Sequence, residues 1–285
     1  MRRVYGWLWL CLLAFLVGAL ISTIQNRIAL PSLTLPDQLE VHFIDVGQGD
    51  SIFIRTPDGT TALIDGGPTS GNVLGYLKSQ GVTRLDMVII SHPHQDHIGG
   101  LVTVLNTLTI GGVWTSGASS TTNTYERILD IIEARGIPYH EVQTSQVIPF
   151  SDLNFSVLYG VAKVKNLNNA SLVLRLAYGQ TSFLFTGDAE KAVEKTLLST
   201  SAAILPATVL KIGHHGSYTS SSLAFVKAVS PQIAIYSAGR GNQYGHPHES
   251  TLETFAALDI PVYGTNELGS IVVISDGTML RMTNK

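Results

Sequence analysis

Three histidines and one aspartate fall within six residues at His92-Pro93-His94-Gln95-Asp96-His97. Neutral imidazoles and carboxylates are the donors that zinc, manganese or iron accept, and so dense a cluster is hard to explain as packing. The segment follows an apolar run at residues 85–90 that reads as a buried strand. In the turn beyond a strand's carboxyl end, side chains two apart project the same way. His92 and His94 are therefore expected to approach one ion, while Asp96 and His97 turn toward a second. Two cations need a shared anion, and Thr186-Gly187-Asp188 offers one. Phe183-Leu184-Phe185 drives that strand into the core, and Gly187 leaves room for Asp188 to reach the site. Asp188 could also cap the helix expected from Ala189; beside the histidine motif, the bridging role is preferred.

Two further segments extend this chemistry. Gly213-His214-His215-Gly216-Ser217 follows an apolar strand at 208–212, so one of the adjacent histidines can face inward as a ligand while the other orients it or meets substrate. Tyr244-Gly245-His246-Pro247-His248 follows another strand and a glycine-rich turn. A histidine there could donate a proton or pair with an oxyanion, or simply start a helix on a solvated turn. The single cysteine, Cys11, lies in an N-terminal apolar run, which leaves histidine, carboxylate and amide groups to hold any metal.

The elements that must position these groups are short. Strands are expected at residues 39–44, 51–55, 61–64 and 85–90, with a hairpin turn at Pro57-Asp58-Gly59. Helices follow at 72–80, 98–105 and 125–135. The second half repeats the theme, with strands at 154–159, 171–177, 181–185, 208–212 and 233–236 and helices at 189–199, 221–229 and 251–258. A last hairpin, 271–274 with 279–281, turns at Asp276-Gly277. Strands and helices in both halves imply two sheets face to face with helices outside. The Ser/Thr-rich stretch 116–124 reads as a flap or a solvated connection.

Residues 4–24 contain no charged side chain and match the roughly 20 residues that span a bilayer. Arg2 and Arg3 precede the run and only Arg27 closely follows it, which places the N-terminus in the cytoplasm and the remainder outside. A cleaved signal peptide is the alternative, but 18–22 offers no clean cleavage site. Residues 1–25 are therefore expected to be a transmembrane anchor, 26–38 a linker and 39–285 the catalytic domain. All 21 acidic residues lie at or after Asp37, and three of the 18 basic ones precede it, so the rest of the chain carries a net charge of −6. That balance excludes extended electrostatic wrapping of duplex DNA, which needs a basic surface. It leaves open a metal-centred grip on a single phosphate.

His-x-His-x-Asp-His after a buried strand, with Thr-Gly-Asp downstream, resembles the metallo-β-lactamase superfamily. Within it, Asp45–Ser51, Leu63-Ile64-Asp65-Gly66-Gly67, Asn168–Leu174, His214–Ser217 and Tyr244–Pro247 are similar to the hydrolase domain of the ComEC DNA-uptake competence proteins. The likeness runs from about residue 39 to 281. The multi-pass channel portion of those proteins has no counterpart in this sequence, so the resemblance carries over hydrolysis and not transport.

The resemblance implies an αββα sandwich with a binuclear site at one sheet edge. It implies His92 and His94 on the first metal, Asp96, His97 and His215 on the second, and Asp188 between them. Many superfamily members carry another histidine before the Thr-Gly-Asp strand. Asn168 and Asn169 stand there instead, so the first ion is expected to bind more weakly, and one or two divalent ions, zinc or manganese, are implied. Asp65 is expected to orient a ligand histidine, and Asp50 to do the same or shape its turn. His214 and Ser217 are expected near substrate or behind a ligand, and Lys163 and Lys165 either hold a backbone phosphate or lie on a solvated loop, while Asp96 and His246 are expected to take part in the reaction itself. The activity implied is metal-assisted hydrolysis of a phosphodiester, most readily a nucleic-acid strand, as a nuclease. A cell-envelope phosphoester, a β-lactam, or a surface-held nucleic-acid binding module with little turnover are the alternatives.

Overall fold

A computed structural model describes residues 38–285. The expected anchor at 1–25, and the linker at 26–38 except for its last residue, lie outside the described residues. No helix among the described residues is long and apolar enough to cross a membrane.

The first sheet is built from β1 (Leu39–Phe43), β2 (Ile52–Arg55), β3 (Thr61–Ile64), β5 (Met87–Ile90), β7 (Val113–Thr115), β8 (Tyr139–Glu141), β16 (Ile271–Ser275) and β17 (Leu280–Asn284), in the order β17-β16-β1-β2-β3-β5-β7-β8. The second runs β15-β14-β13-β12-β11-β10-β9. It comprises β9 (Val147–Phe150), β10 (Leu153–Tyr159), β11 (Val173–Tyr178), β12 (Thr181–Phe185), β13 (Val209–Lys211), β14 (Ile233–Tyr236) and β15 (Val262–Gly264). A small pair joins β4 (Arg84–Leu85) to β6 (Thr109–Ile110).

Period-two alternation decides which side chains go where. Leu39, Val41 and Phe43 of β1 and Ile52 and Ile54 of β2 turn into one core, and Phe155, Phe183, Phe185 and Val209 enter it from the second sheet. The side chains between them face the other way. Phe53, Leu63, Val88 and Ile90 pack under α1 (Val73–Ser79), α3 (Leu101–Thr107) and α4 (Asn123–Ala134). Leu184, Leu210 and Ala234 pack under α5 (Lys191–Thr200), α6 (Leu223–Val229) and α7 (Glu249–Ala256). Both faces of both sheets are therefore covered, which is the αββα sandwich that the resemblance implies.

Several expectations need correction. The helix expected at 98–105 is two pieces, α2 (Gln95–Ile98) and α3, separated by Gly99 and Gly100. A Cβ at Gly100 would meet the Gly66 carbonyl oxygen at 2.2 Å, so the backbones approach there as only glycine allows. The strand expected at 85–90 breaks at Asp86, whose carboxylate instead accepts the Thr61 N–H at 3.0 Å. Strands β7, β8, β9 and β15 and the short helix α8 (Thr265–Leu268) were not expected. The Ser/Thr-rich loop is tied down where it begins, since the Ser116 hydroxyl is buried and donates to the Ala170 carbonyl.

In the first sheet β3 runs parallel to β5, and in the second β12, β13 and β14 are parallel. The carboxyl ends of these strands carry Asp65, Ser91-His92, Thr186-Gly187-Asp188, Gly213–Gly216 and Ser237, so one edge of the sandwich collects nearly every residue singled out above.

Candidate metal centre

Asp188 is the hub. It leaves the end of β12 through Gly187, whose φ is +50° and where a Cβ would crowd Ser171 and Ser91. The Ser171 hydroxyl accepts the Asp188 N–H at 3.0 Å and fixes the turn. The two carboxylate oxygens then face different histidines. Oδ1 lies 3.2 Å from His97 Nε2 and 3.6 Å from His215 Nε2. Oδ2 lies 3.7 Å from His92 Nε2 and 3.8 Å from His214 Nε2.

Each inward nitrogen is set by what holds the other side of its ring. His97 Nδ1 donates to Asp65 Oδ2 at 2.7 Å. Asp65 also accepts the N–H and hydroxyl of Ser91, at 2.8 and 2.6 Å. Because the Ser91 hydroxyl proton is committed to Asp65, its oxygen accepts from His92 Nδ1 at 3.1 Å, which leaves the His92 Nε2 lone pair to meet His94 Nδ1 at 2.9 Å beside Asp188. His215 Nδ1 donates to the Ser237 carbonyl at 3.1 Å, leaving Nε2 toward Asp188 and toward Asp96 Oδ2 at 3.2 Å.

A cation fits this arrangement. His97 Nε2 and Asp188 Oδ1 are buried without a hydrogen-bond partner, and a buried polar atom left so costs free energy. A cation between them would use both. Two groups of donor atoms each lie within 4.8 Å of one another: Asp50, His97, Asp188 and His215, and His92, His94 and Asp188. Asp50 belongs to the first by distance but stands on the far side of His215, 3.2 Å from its Nδ1. Asp96, 35% exposed, reaches His215 Nε2 instead and borders the entrance.

The electrostatics agree with this division. Burial alone would push the Asp188 carboxyl up, but His215 and His97 outweigh it and hold it well below the usual carboxylate range. Burial likewise opposes charge on His97, yet Asp188 and Asp65 hold it well above its ordinary value. His215 is held at about 10 against the same burial by Asp188 and Asp50. Burial raises Asp96, but the bond from His215 together with the charges on His97 and His215 outweighs it and brings it down to about 2.

These directions give a pH prediction. Both raised imidazoles keep their protons in the metal-free chain; that stabilisation is complete below the ordinary value of 6.5 and is lost as pH rises through about 10 for His215. An ion needs the same lone pairs, so its uptake must expel those protons. Calorimetric metal titration at pH 7.5, in two buffers of different ionisation enthalpy, should report about two protons released for the ion held by His97 and His215. Affinity should climb with pH up to about 10. Uptake without proton release would contradict the assignment.

The remaining expected residues are placed as follows. Asn169 turns away from the metal donors: its side-chain oxygen accepts the Glu190 N–H at 3.1 Å and its amide donates to the Glu190 carboxylate. Asn168 donates to the same carboxylate at 3.4 Å and approaches His214 Nε2 at 3.5 Å. Ser217 is buried, and its oxygen accepts from the N–H and hydroxyl of Thr219. Lys163 and Lys165 are exposed. His246 stands outside both donor groups, its ring 6.1 Å from that of His215.

Three partners went unforeseen. Lys211, 1% exposed, pairs with Asp50 Oδ2 at 2.8 Å and donates to the Ile212 carbonyl. Burial would raise Asp50, but Lys211 and then His215 hold it far below the usual range. Removing one partner from such a buried pair typically costs about 3–5 kcal/mol. The signal was a lysine inside an otherwise apolar strand. Gln48 accepts the Gly239 N–H at 3.1 Å through its oxygen, which turns its amide N–H toward His246 Nδ1 at 3.3 Å. Ser91 sits behind both His92 and His97.

Comparison with known proteins bears on this geometry. The sequence matches the pattern of the Metallo-beta-lactamase superfamily over residues 44–240. It is 32% identical over 257 residues to ComE operon protein 3 of Bacillus subtilis, covering 83% of this chain and 33% of that protein. It is 31% identical over 248 residues to Competence protein ComA of Neisseria gonorrhoeae, covering 85% of this chain and 33% of that one. The chain thus spans about a third of the length of these relatives. Among solved structures, CmlA, a diiron beta-hydroxylase from Streptomyces venezuelae, shares the fold with a TM-score of 0.57 at 16% identity, over 88% of this chain and 55% of its own.

Proposed function

This chain belongs to the metallo-beta-lactamase superfamily, and we propose that it is a phosphodiester hydrolase acting on nucleic-acid strands at the outer face of a membrane. The observation that carries the proposal is Asp188, one buried carboxylate whose two oxygens each face a pair of imidazoles. His92, His94 and Asp188 would hold a first zinc or manganese ion, and Asp96, His97, His215 and Asp188 a second. When bound, such ions supply a water acidic enough to ionise near neutral pH and positive charge for the oxygens of a phosphate under attack.

The chain's own residues do the rest. Asp65 and Ser91 fix the rings of His97 and His92, and Asp50, balanced by Lys211, stands behind His215. Burial and the neighbouring histidines hold His246 down at about 4, so its ring is neutral at pH 7. Because Gln48 donates to Nδ1, the His246 proton sits on Nε2, available to an oxyanion or a leaving oxygen. Beside the centre, a groove is lined by Gln48, Gln95, Asp96, Asn242 and Tyr244. Tyr244 and Tyr218 are exposed aromatic rings next to His246 and His248, surfaces on which bases stack.

The nucleic-acid substrate is supported by the competence-protein relatives. The net charge of −6 from Asp37 onward favours brief contact with one strand over duplex wrapping. The uncharged run at residues 4–24, preceded by Arg2 and Arg3, supports a membrane-held domain facing outward.

The test uses the full chain, purified in detergent and loaded with manganese or zinc. Bis-p-nitrophenyl phosphate and a single-stranded oligonucleotide should both be cleaved, and nitrocefin should not. Faster opening of nitrocefin than of either phosphodiester would overturn the substrate class.

A further inference from the structure

We propose that His214 is the fourth ligand of the first metal position, filling with a residue from the His214-His215 pair the place that Asn168 and Asn169 leave without an imidazole. The proposal rests on the metal-centre reading above and goes beyond it, since the resemblance assigns that pair a single ligand.

Adjacent residues in ordinary extended or helical backbone cannot easily send both side chains to one carboxylate. Here both histidines adopt left-handed conformations, His214 at φ 50°, ψ 47° and His215 at φ 56°, ψ 21°. Such a conformation costs a non-glycine residue of order 1–3 kcal/mol, and it persists where surrounding structure demands it. The result is a split: His215 Nε2 meets Asp188 Oδ1 at 3.6 Å, and His214 Nε2 meets Oδ2 at 3.8 Å. His92 Nε2 faces that same Oδ2 at 3.7 Å. Nitrogen and oxygen ligands about 2.0–2.1 Å from one tetrahedral ion stand about 3.3 Å apart. His214 Nε2 stands outside the 4.8 Å group of His92, His94 and Asp188 but shares Oδ2 with His92, so seating the ion would draw its ring inward.

The tautomer is set correctly. The Thr219 hydroxyl donates to Ser217 Oγ at 3.1 Å, so its oxygen accepts from His214 Nδ1 at 2.9 Å. The His214 lone pair is therefore on Nε2, and the amide N–H of Asn168 points at it from 3.5 Å. His92, His97 and His215 show the same pattern, with Nδ1 held from behind and Nε2 toward Asp188.

The experiment is a metal titration of the full chain in detergent, with manganese and zinc, read by calorimetry and by ions retained after gel filtration. The wild type should take up two ions. His214→Ala should take up one, with the remaining affinity within about threefold of the wild-type second site. Thr219→Val keeps the histidine and loses only its orientation; it should retain both sites and weaken one by about 10–100-fold, the usual effect of removing a ligand's supporting bond. If His214→Ala still takes up two ions at wild-type affinities, His214 is not a ligand, whatever happens to turnover. A wild type that takes up one ion overturns this proposal while leaving the second site standing. One that takes up none overturns both.

Discussion

Asp188→Asn is expected to remove both metal ions and to lower phosphodiester turnover by roughly 10⁴-fold or more, the scale on which losing one member of an interdependent catalytic group acts. The change keeps size and hydrogen-bonding capacity but deletes the charge that two cations would share. An amide could still present one oxygen to one ion, but its nitrogen would face the other pair of imidazoles. The fold should persist, because Asp188 touches histidines and Ser171 at the sheet edge while the sandwich core is built by residues such as Phe43, Phe155 and Phe183. The raised histidines lose their main counter-charge, and at pH 7.5 they can shed their protons rather than stay buried and charged. Circular dichroism and metal analysis on the same sample check this. Retained metal with lost turnover would show that Asp188 serves the reaction without bridging.

His246→Ala is expected to do the reverse, keeping both ions and losing about 10²–10⁴-fold in turnover, the usual contribution of a positioned acid or base. Its ring lies near His215 and His214 but outside both donor groups, and its Nδ1 is occupied by Gln48. Metal content and the rate of phosphodiester cleavage should therefore separate cleanly in this variant. If His246→Ala strips the metal while His215→Ala leaves it bound, the two roles are exchanged.

The ligand cluster was legible in the sequence because its chemistry is dense and its setting simple. Three histidines and an aspartate in six residues after the apolar run 85–90 have little structural alternative, and in the structure donor atoms of His92, His94 and His97 lie close to Asp188. Asp65 behind His97 was legible too, since an aspartate opening a glycine turn after a strand has few other duties. Lys211 was not: its partner Asp50 is 161 positions away, and a lone lysine in a strand ordinarily marks an exposed face. The bonds that Ser217 accepts from the N–H and hydroxyl of Thr219 were not legible, because they depend on the tight turn after His215. Among the elements, β8 escaped notice because three residues with mostly exposed side chains leave no alternation to read, and β9 because Pro149 argues against a strand until it is seen in the outermost position of its sheet, where Pro is tolerated. The division of Asp188 between two pairs of histidines depends on left-handed backbone at His214 and His215, which no local pattern announces.

The most direct test strips the full chain with a chelator and restores manganese or zinc stepwise, following ions bound and bis-p-nitrophenyl phosphate turnover in the same samples. Turnover should vanish on stripping and return in step with occupancy of the Asp188 centre. A stripped chain that still cleaves the phosphodiester at the original rate, or a fully loaded one that cleaves none, would contradict the account.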